Sequence, residues 1–170
     1  MKGQSNRAAL IGIIVVILVA LGGWWYFSHP SQNNLPAETG SDESEAVQSV
    51  VTSFGEQMKN VPLAASTTAI ASAVRQYYSA HVAPELLAQW ENAPTTSPGR
   101  LTSSPWPDRI EITSATKNEN GSYSVVGNVI EVTSVEETEG GGAHSYPVAF
   151  TVENRNGTWL ITRFMRAPTE

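Results

Sequence analysis

The chain has 170 residues, no cysteine, and 16 Asp and Glu against 10 Lys and Arg, giving a net charge of −6. The missing thiol excludes disulfides, thiolate chemistry, cysteine-ligated zinc and a lipid-modified cysteine. Only 15% of the residues are charged, against roughly 25% in soluble domains. The shortfall is concentrated near the N-terminus, which excludes an ordinary soluble cytosolic protein.

The run AALIGIIVVILVALGGWWYF, Ala8 to Phe27, carries no charge. As a helix it spans about 30 Å, the thickness of a bilayer hydrocarbon core. Its many Ile and Val residues would favour a strand in water. In lipid a single span must bond its own backbone, so a transmembrane helix is expected over residues 8–27. Trp24, Trp25 and Tyr26 at its end read as the membrane-interface belt. Lys2 and Arg7 precede the run and the next basic residue is Lys59. The positive-inside rule therefore predicts a cytoplasmic tail, residues 1–7, with residues 28–170 outside the cell membrane. The apolar core is too long for a cleaved signal peptide and ends in bulky aromatics, so it reads as an uncleaved signal anchor. All 16 acidic residues follow it, so the outer part is acidic, and nucleic acid is an improbable partner.

Residues 28–43 are rich in Pro, Asn, Ser and Gly and read as a linker. A domain is expected over residues 44–170. Asp42, Glu43 and Glu45 suit the positive end of a helix dipole. Val47, Val50, Val51, Phe54 and Met58 then form one apolar stripe at helical spacing. Gly55 interrupts that helix as a close-packing point or a weak spot, and the helix stops near Pro62. A second helix is expected from about Ser66 to Ala80, burying Ile70, Ala73, Val74, Tyr77 and Tyr78. A third follows Pro84, which fits a first helical turn, with Leu86, Leu87 and Trp90 on its apolar side. Tyr77, Tyr78 and His81, at the end of the second helix, are a candidate pocket.

Asn92 to Asp108 holds Pro94, Pro98, Pro105 and Pro107, which exclude a regular helix or a central strand. Trp106 stands between two prolines, stiffly presented at little entropic cost on binding. Arg100, Ser104, Trp106, Asp108 and Arg109 thus make a candidate interaction loop. The plainer alternative is that Trp106 folds back over the edge of the sheet.

After Asp108 the hydrophobic period changes from 3.6 to 2. Ile110 and Ile112 alternate with polar residues, and Asn120-Gly121 signals a hairpin turn. Tyr123 to Thr133 is a second strand, with a bulge or bend expected at Gly127. Glu136 to Ala143 reads as a loop with a flexible triple-glycine turn, and His144 as a solvated loop residue. Tyr146 to Val152 is a third strand. After the Asn156-Gly157 turn comes a fourth, with Trp159 and Ile161 on one face and Leu160 and Phe164 on the other. Segregated helices and strands predict an α+β fold in which two to three helices pack on one face of a curved antiparallel sheet of about four strands.

The closing sequence, with Gly157, Trp159 and Ile161 in the pattern x-Gly-x-Trp-x-Ile, resembles the terminal hairpin of the nuclear transport factor two-like (cystatin-like α+β cone) superfamily. The resemblance covers about residues 44–166. Ala93 to Ile112 also resembles a segment of membrane-anchored proteins of Gram-positive bacteria. The superfamily contains enzymes, ligand-binding modules and assembly domains, so the resemblance implies a fold and not one activity. Its SnoaL-like cyclases and ketosteroid isomerases place Asp, His or Tyr in the cone. Here Asp108, Tyr77, Tyr78 and His81 could line a pocket, but no spacing demands it. Bitopic secretion and conjugation subunits share the plan of a short tail, one span and such a domain outside.

His29, His81 and His144 are widely spaced, so no metal site or cofactor is expected. Gly140-Gly141-Gly142 lacks the Lys-Ser/Thr of a phosphate loop. Asn120-Gly-Ser and Asn156-Gly-Thr match glycosylation sequons but are explained as turns. The expectation is a non-catalytic binding or assembly module of the bacterial cell envelope, anchored in the lipid bilayer, with an envelope protein or a second copy as partner. The alternatives are a small-ligand-binding or SnoaL-like pocket enzyme, and a subunit of a secretion or conjugation machine.

Overall fold

Helix α1 covers Thr39–Gln57 and passes into a 3₁₀ turn, Met58–Asn60. The structure, a computed structural model, describes residues 39–166. The span expected over residues 8–27, with Trp24, Trp25 and Tyr26, and most of the expected linker lie outside the described residues. Among the described residues no helix is long and apolar enough to cross a membrane. The helix begins earlier than its first acidic residues suggest, taking in the last part of the expected linker. Its stripe behaves as the spacing requires: Val47, Val51, Phe54 and Met58 are fully buried and Val50 partly so.

Helix α2, Thr67–Tyr78, is capped by Ser66, whose hydroxyl accepts the Ala69 N–H at 3.3 Å. That bond satisfies one of the free donors at a helix start. Helix α3, Pro84–Asn92, has its proline in the first turn, where the missing N–H costs nothing. The Arg75 guanidinium grips both carboxylate oxygens of Glu91 at 2.8 Å, tying α2 to α3.

Four strands follow: β1 (Trp106–Lys117), β2 (Tyr123–Val132), β3 (His144–Arg155) and β4 (Thr158–Arg166). They form one antiparallel sheet in the order β1-β2-β3-β4. The fold is therefore α+β, with helices first and the sheet last. Tyr123, Val125 and Val129 of β2 are buried against the helices, while Ser124 and Val126 between them are exposed. At the β3–β4 turn Asn156 and Gly157 both have positive φ, 56° and 88°, which that turn type requires.

Beyond the early start of α1, the structure departs from the sequence expectations at several places, among them His144, expected in a loop, which opens strand β3. Strand β1 starts at Trp106, so Pro107 is a strand residue opposite Glu131. β1 is an edge strand, and edges tolerate a residue without an N–H. The bulge expected at Gly127 lies across from it, on β1 between Ile112 and Ser114. A Cβ on Gly127 would sit 2.6 Å from the Glu111 carbonyl oxygen, so the glycine lets the neighbouring strand press in. The expected loop Glu136–Ala143 is in part a short helix, α4, Ser134–Glu139, whose start is held by a Thr133/Glu136 capping box. Each of those side chains satisfies the other's backbone donor. Finally, Phe164 lies on the same side of β4 as Ile161. Ile161 pairs with Val152 and Arg163 with Thr151, so Thr162 is the extra residue of a bulge. One extra residue flips the alternation that follows it.

The space between helices and sheet is filled by aromatic rings. Phe54 and Tyr78 have centroids 4.7 Å apart, Tyr78 and Trp90 5.7 Å, and Phe150 and Phe164 5.4 Å. Burying each large apolar side chain contributes about 1.5–3 kcal/mol.

Candidate functional site

The three residues of the expected pocket do not converge. Tyr78 is fully buried in the core, and its hydroxyl donates to the Pro98 carbonyl at 2.7 Å. Burial pushes its phenol pKa up. Tyr77 is half-buried against the same core. His81 instead borders a shallow depression between α1 and the β3–β4 turn, with Ser49, Ser53, Thr158 and Trp159, which neither tyrosine lines. Partial burial lowers the imidazole pKa, and the Glu56 charge opposes that shift.

The interaction loop is ordered by its neighbours. The Arg100 N–H donates to the Val61 carbonyl at 2.8 Å, and the Arg100 carbonyl accepts from the Leu63 N–H at 2.9 Å. The backbone is thus stapled beside the end of α1 while the Arg100 side chain is exposed. Leu101 next to it is 68% exposed. Ser104 is exposed and its bond to Pro105 is cis. Thr102 Oγ1 donates to the Pro105 carbonyl at 2.9 Å. Trp106 is half-buried, opposite Val132.

Asp108 and Arg109 enter a charge network that no sequence pattern signalled. Asp108 pairs with Lys59 at 3.5 Å and with Arg109 at 3.2 Å. The Arg109 guanidinium also meets Glu111 at 2.6 Å and donates from both terminal nitrogens to the Gly141 carbonyl at 3.3 Å. The Glu111 hydrogen bond above all raises its already high pKa. Arg109 therefore latches the triple-glycine segment over β2 rather than offering a free cation. Behind the latch lies an open depression of about 560 Å³ bordered by Glu111, Ile130, Gly142 and His144.

Sequence reading also missed a second group at this end of the sheet. His144 Nδ1 lies 3.1 Å from a Glu131 carboxylate oxygen. The Arg166 guanidinium stands 3.9 Å from the Tyr146 ring centroid. Burial, with the Glu131 charge, pushes the Tyr146 phenol up to about 12. The partners sit on different strands, so no local spacing foretold them. Among the described residues no group of His, Asp and Glu is arranged to hold a metal ion.

The sheet thus has two unlike ends. At the end where α1 begins, Lys117 and Tyr123 both reach Glu43. The other end carries Trp106, α4, the glycine segment, His144 and Arg166.

No family model and no curated protein matches the chain. Among solved structures, the intermembrane-space region of chloroplast protein ARC6 is similar at 14% identity and a TM-score of 0.37, over 74% of this chain and 97% of that one. A likeness that slight leaves fold and function to the residues themselves.

Proposed function

We propose that this chain is a single-pass, membrane-anchored binding or assembly module of the bacterial cell envelope, non-catalytic, with its α+β domain outside the membrane. On this reading the domain is a cone of the nuclear transport factor two-like superfamily. One observation carries it. The interior is packed with Phe54, Tyr78, Trp90, Phe150 and Phe164, while exposed charged and apolar groups gather at the end of the sheet away from the start of α1. The chain enters the domain at Thr39, so within the domain those groups are the far end from the tether. A pocket enzyme would need that interior open. A secretion or conjugation subunit would be one special case of the module.

The absence of cysteine provides the test. Ser5→Cys and Ser104→Cys are introduced singly and treated in intact cells with a membrane-impermeant maleimide. Labelling of Ser104→Cys but not of Ser5→Cys is expected. The reverse pattern overturns the topology. A photo-crosslinking maleimide at Ser104→Cys should then join the chain to a specific envelope protein. Failure to crosslink, with labelling intact, removes the loop as the partner surface.

A further inference from the structure

Strand β4 is one edge of the sheet, and only its middle is covered. The Ile161 N–H donates to the His81 carbonyl at 2.9 Å, and the Ile161 carbonyl accepts from the Ala83 N–H at 2.9 Å. Residues 81–83 thereby run parallel beside Ile161. Past the Thr162 bulge, no described segment pairs with the outer edge of Arg163–Arg166. In an antiparallel ladder alternate residues turn their N–H and C=O to opposite sides. This stretch therefore leaves bonding groups unpaired at the edge, collinear with the covered part.

The charge there is unusual for the molecule. The chain is acidic, with net charge −6. Among the described residues Lys59, Arg75, Arg109, Lys117 and Arg155 are each ion-paired with a carboxylate. Arg163 and Arg166 are not, and Arg100 is the one other such residue. Arg163 shares the solvent face of the sheet with Met165, which is 51% exposed, while Arg166 lies over Tyr146. Arginines without an ion-pair partner, Arg163 beside Glu85 and Glu153 in one shallow depression and Arg166 over Tyr146, thus lie along an open stretch of edge.

A second copy is a poor occupant. Antiparallel pairing of two β4 edges would bring these arginines towards the same arginines of the other chain, and facing like charges destabilise a strand pair. We propose that the open edge of β4, Arg163–Arg166, receives an extended acidic segment of a partner protein as an added strand. Main-chain hydrogen bonds would supply the affinity, and side chains at alternating positions the selectivity. One carboxylate would meet Arg163 on the solvent face and another, three positions along, would meet Arg166 on the helix side, with an apolar residue beside Met165. This surface is separate from the Arg100–Arg109 segment and does not depend on the anchor, so its failure leaves the reading of the chain as a tethered module standing.

The test uses the full chain in a zwitterionic detergent and a fluorescein-labelled octapeptide, Thr-Thr-Glu-Val-Val-Glu-Thr-Thr, whose two glutamates fall on opposite faces of an added strand. Anisotropy should report saturable binding. Backbone amide shifts should centre on Phe164–Arg166. The double variant Arg163→Glu/Arg166→Glu should weaken binding at least about tenfold, from the loss and reversal of two cross-strand charge pairs. Arg163→Lys/Arg166→Lys should retain binding, and thermal melting should establish that both variants fold. A peptide with proline at its centre, or with lysine for glutamate, should not bind. Equal binding of the lysine peptide, insensitivity to the charge reversal, or shifts centred elsewhere overturns the proposal. So does arginine-dependent binding to phosphatidylglycerol vesicles with no binding of the peptide, which assigns the arginines to lipid. If the edge charges serve only to keep strands apart, no peptide binds at millimolar concentration, and the proposal fails.

Discussion

The hydroxyl of Tyr78 donates to the carbonyl of Pro98 at 2.7 Å from within the hydrophobic core. This bond joins the end of α2 to the proline-rich segment, which has few other regular backbone partners. Tyr78→Phe leaves the Pro98 carbonyl unpaired where water does not reach it easily. The expected cost is about 1–2 kcal/mol. Trp90→Ala, which empties the space between Phe54, Tyr78 and Phe164, should cost about 3–5 kcal/mol. Urea unfolding followed by fluorescence measures both. A Tyr78→Phe variant as stable as the parent would mean that the bond contributes nothing.

Two glycines of α1 should respond in opposite directions to alanine. A Cβ on Gly55 would lie 2.8 Å from Ile110 Cγ1 and 2.9 Å from the Ile110 backbone nitrogen, whereas nothing lies within 4 Å of one on Gly40. Alanine in a helix gains roughly 1 kcal/mol over glycine, but overpacking costs about 1–3 kcal/mol. Gly55→Ala should lower the urea midpoint and Gly40→Ala should hold or raise it. A rise in both would show that α1 can move away from β1 freely.

Arg109→Ala removes the latch on the triple-glycine segment. Its ion pairs are partly exposed at the surface, so global stability should change by only about 1 kcal/mol or less. The amides of Gly140–Ala143 should nonetheless exchange with deuterium faster. Arg109→Lys should not restore their protection, because an ammonium cannot reach Glu111 and the Gly141 carbonyl as a planar fork does. Unchanged exchange in Arg109→Ala would mean that the segment is held by other contacts.

The buried tyrosines set an alkaline limit. Tyr146 is raised to about 12 from an ordinary value of 10.0, chiefly by burial, and Tyr78 is raised as well. A raised folded-state pKa means that the folded chain keeps a proton that the unfolded chain loses. The associated stability is complete below pH 10 and is lost as pH rises from 10 through the folded value. Absorbance at alkaline pH should reveal phenols that ionise only near or after unfolding. Tyr146→Phe should flatten part of the fall in stability above pH 10. Simple titration of every tyrosine near 10 would contradict this.

Much of the fold is legible in the order of residues because its causes are local. The stripe from Val47 to Met58, the cap at Ser66, the proline opening α3 and the turns at Asn120-Gly121 and Asn156-Gly157 each act within a few positions. They determine where helices and strands begin, and that helices precede strands. The Thr133/Glu136 capping box was local too, but six residues were too few for a hydrophobic period to mark. Charge and hydropathy alone set the expectation of an anchor over residues 8–27.

What the tertiary structure decided depends on which strands meet, and that is not local. The bulge at Thr162 turns Phe164 into the core only because Val152 and Thr151 lie opposite Ile161 and Arg163. Tyr78 belongs to the core and not to a pocket because Phe54 and Trp90 close around it. Arg109 finds Gly141, and Glu131 finds His144, across strands that turns and a short helix separate. Among the described residues the outer edge of β4 is paired only at Ile161, because the segment after α2 covers that residue and then turns into α3. A residue's alternation along its own strand follows from sequence, but its partner is set by register, and register is set by how the whole sheet packs beneath the helices.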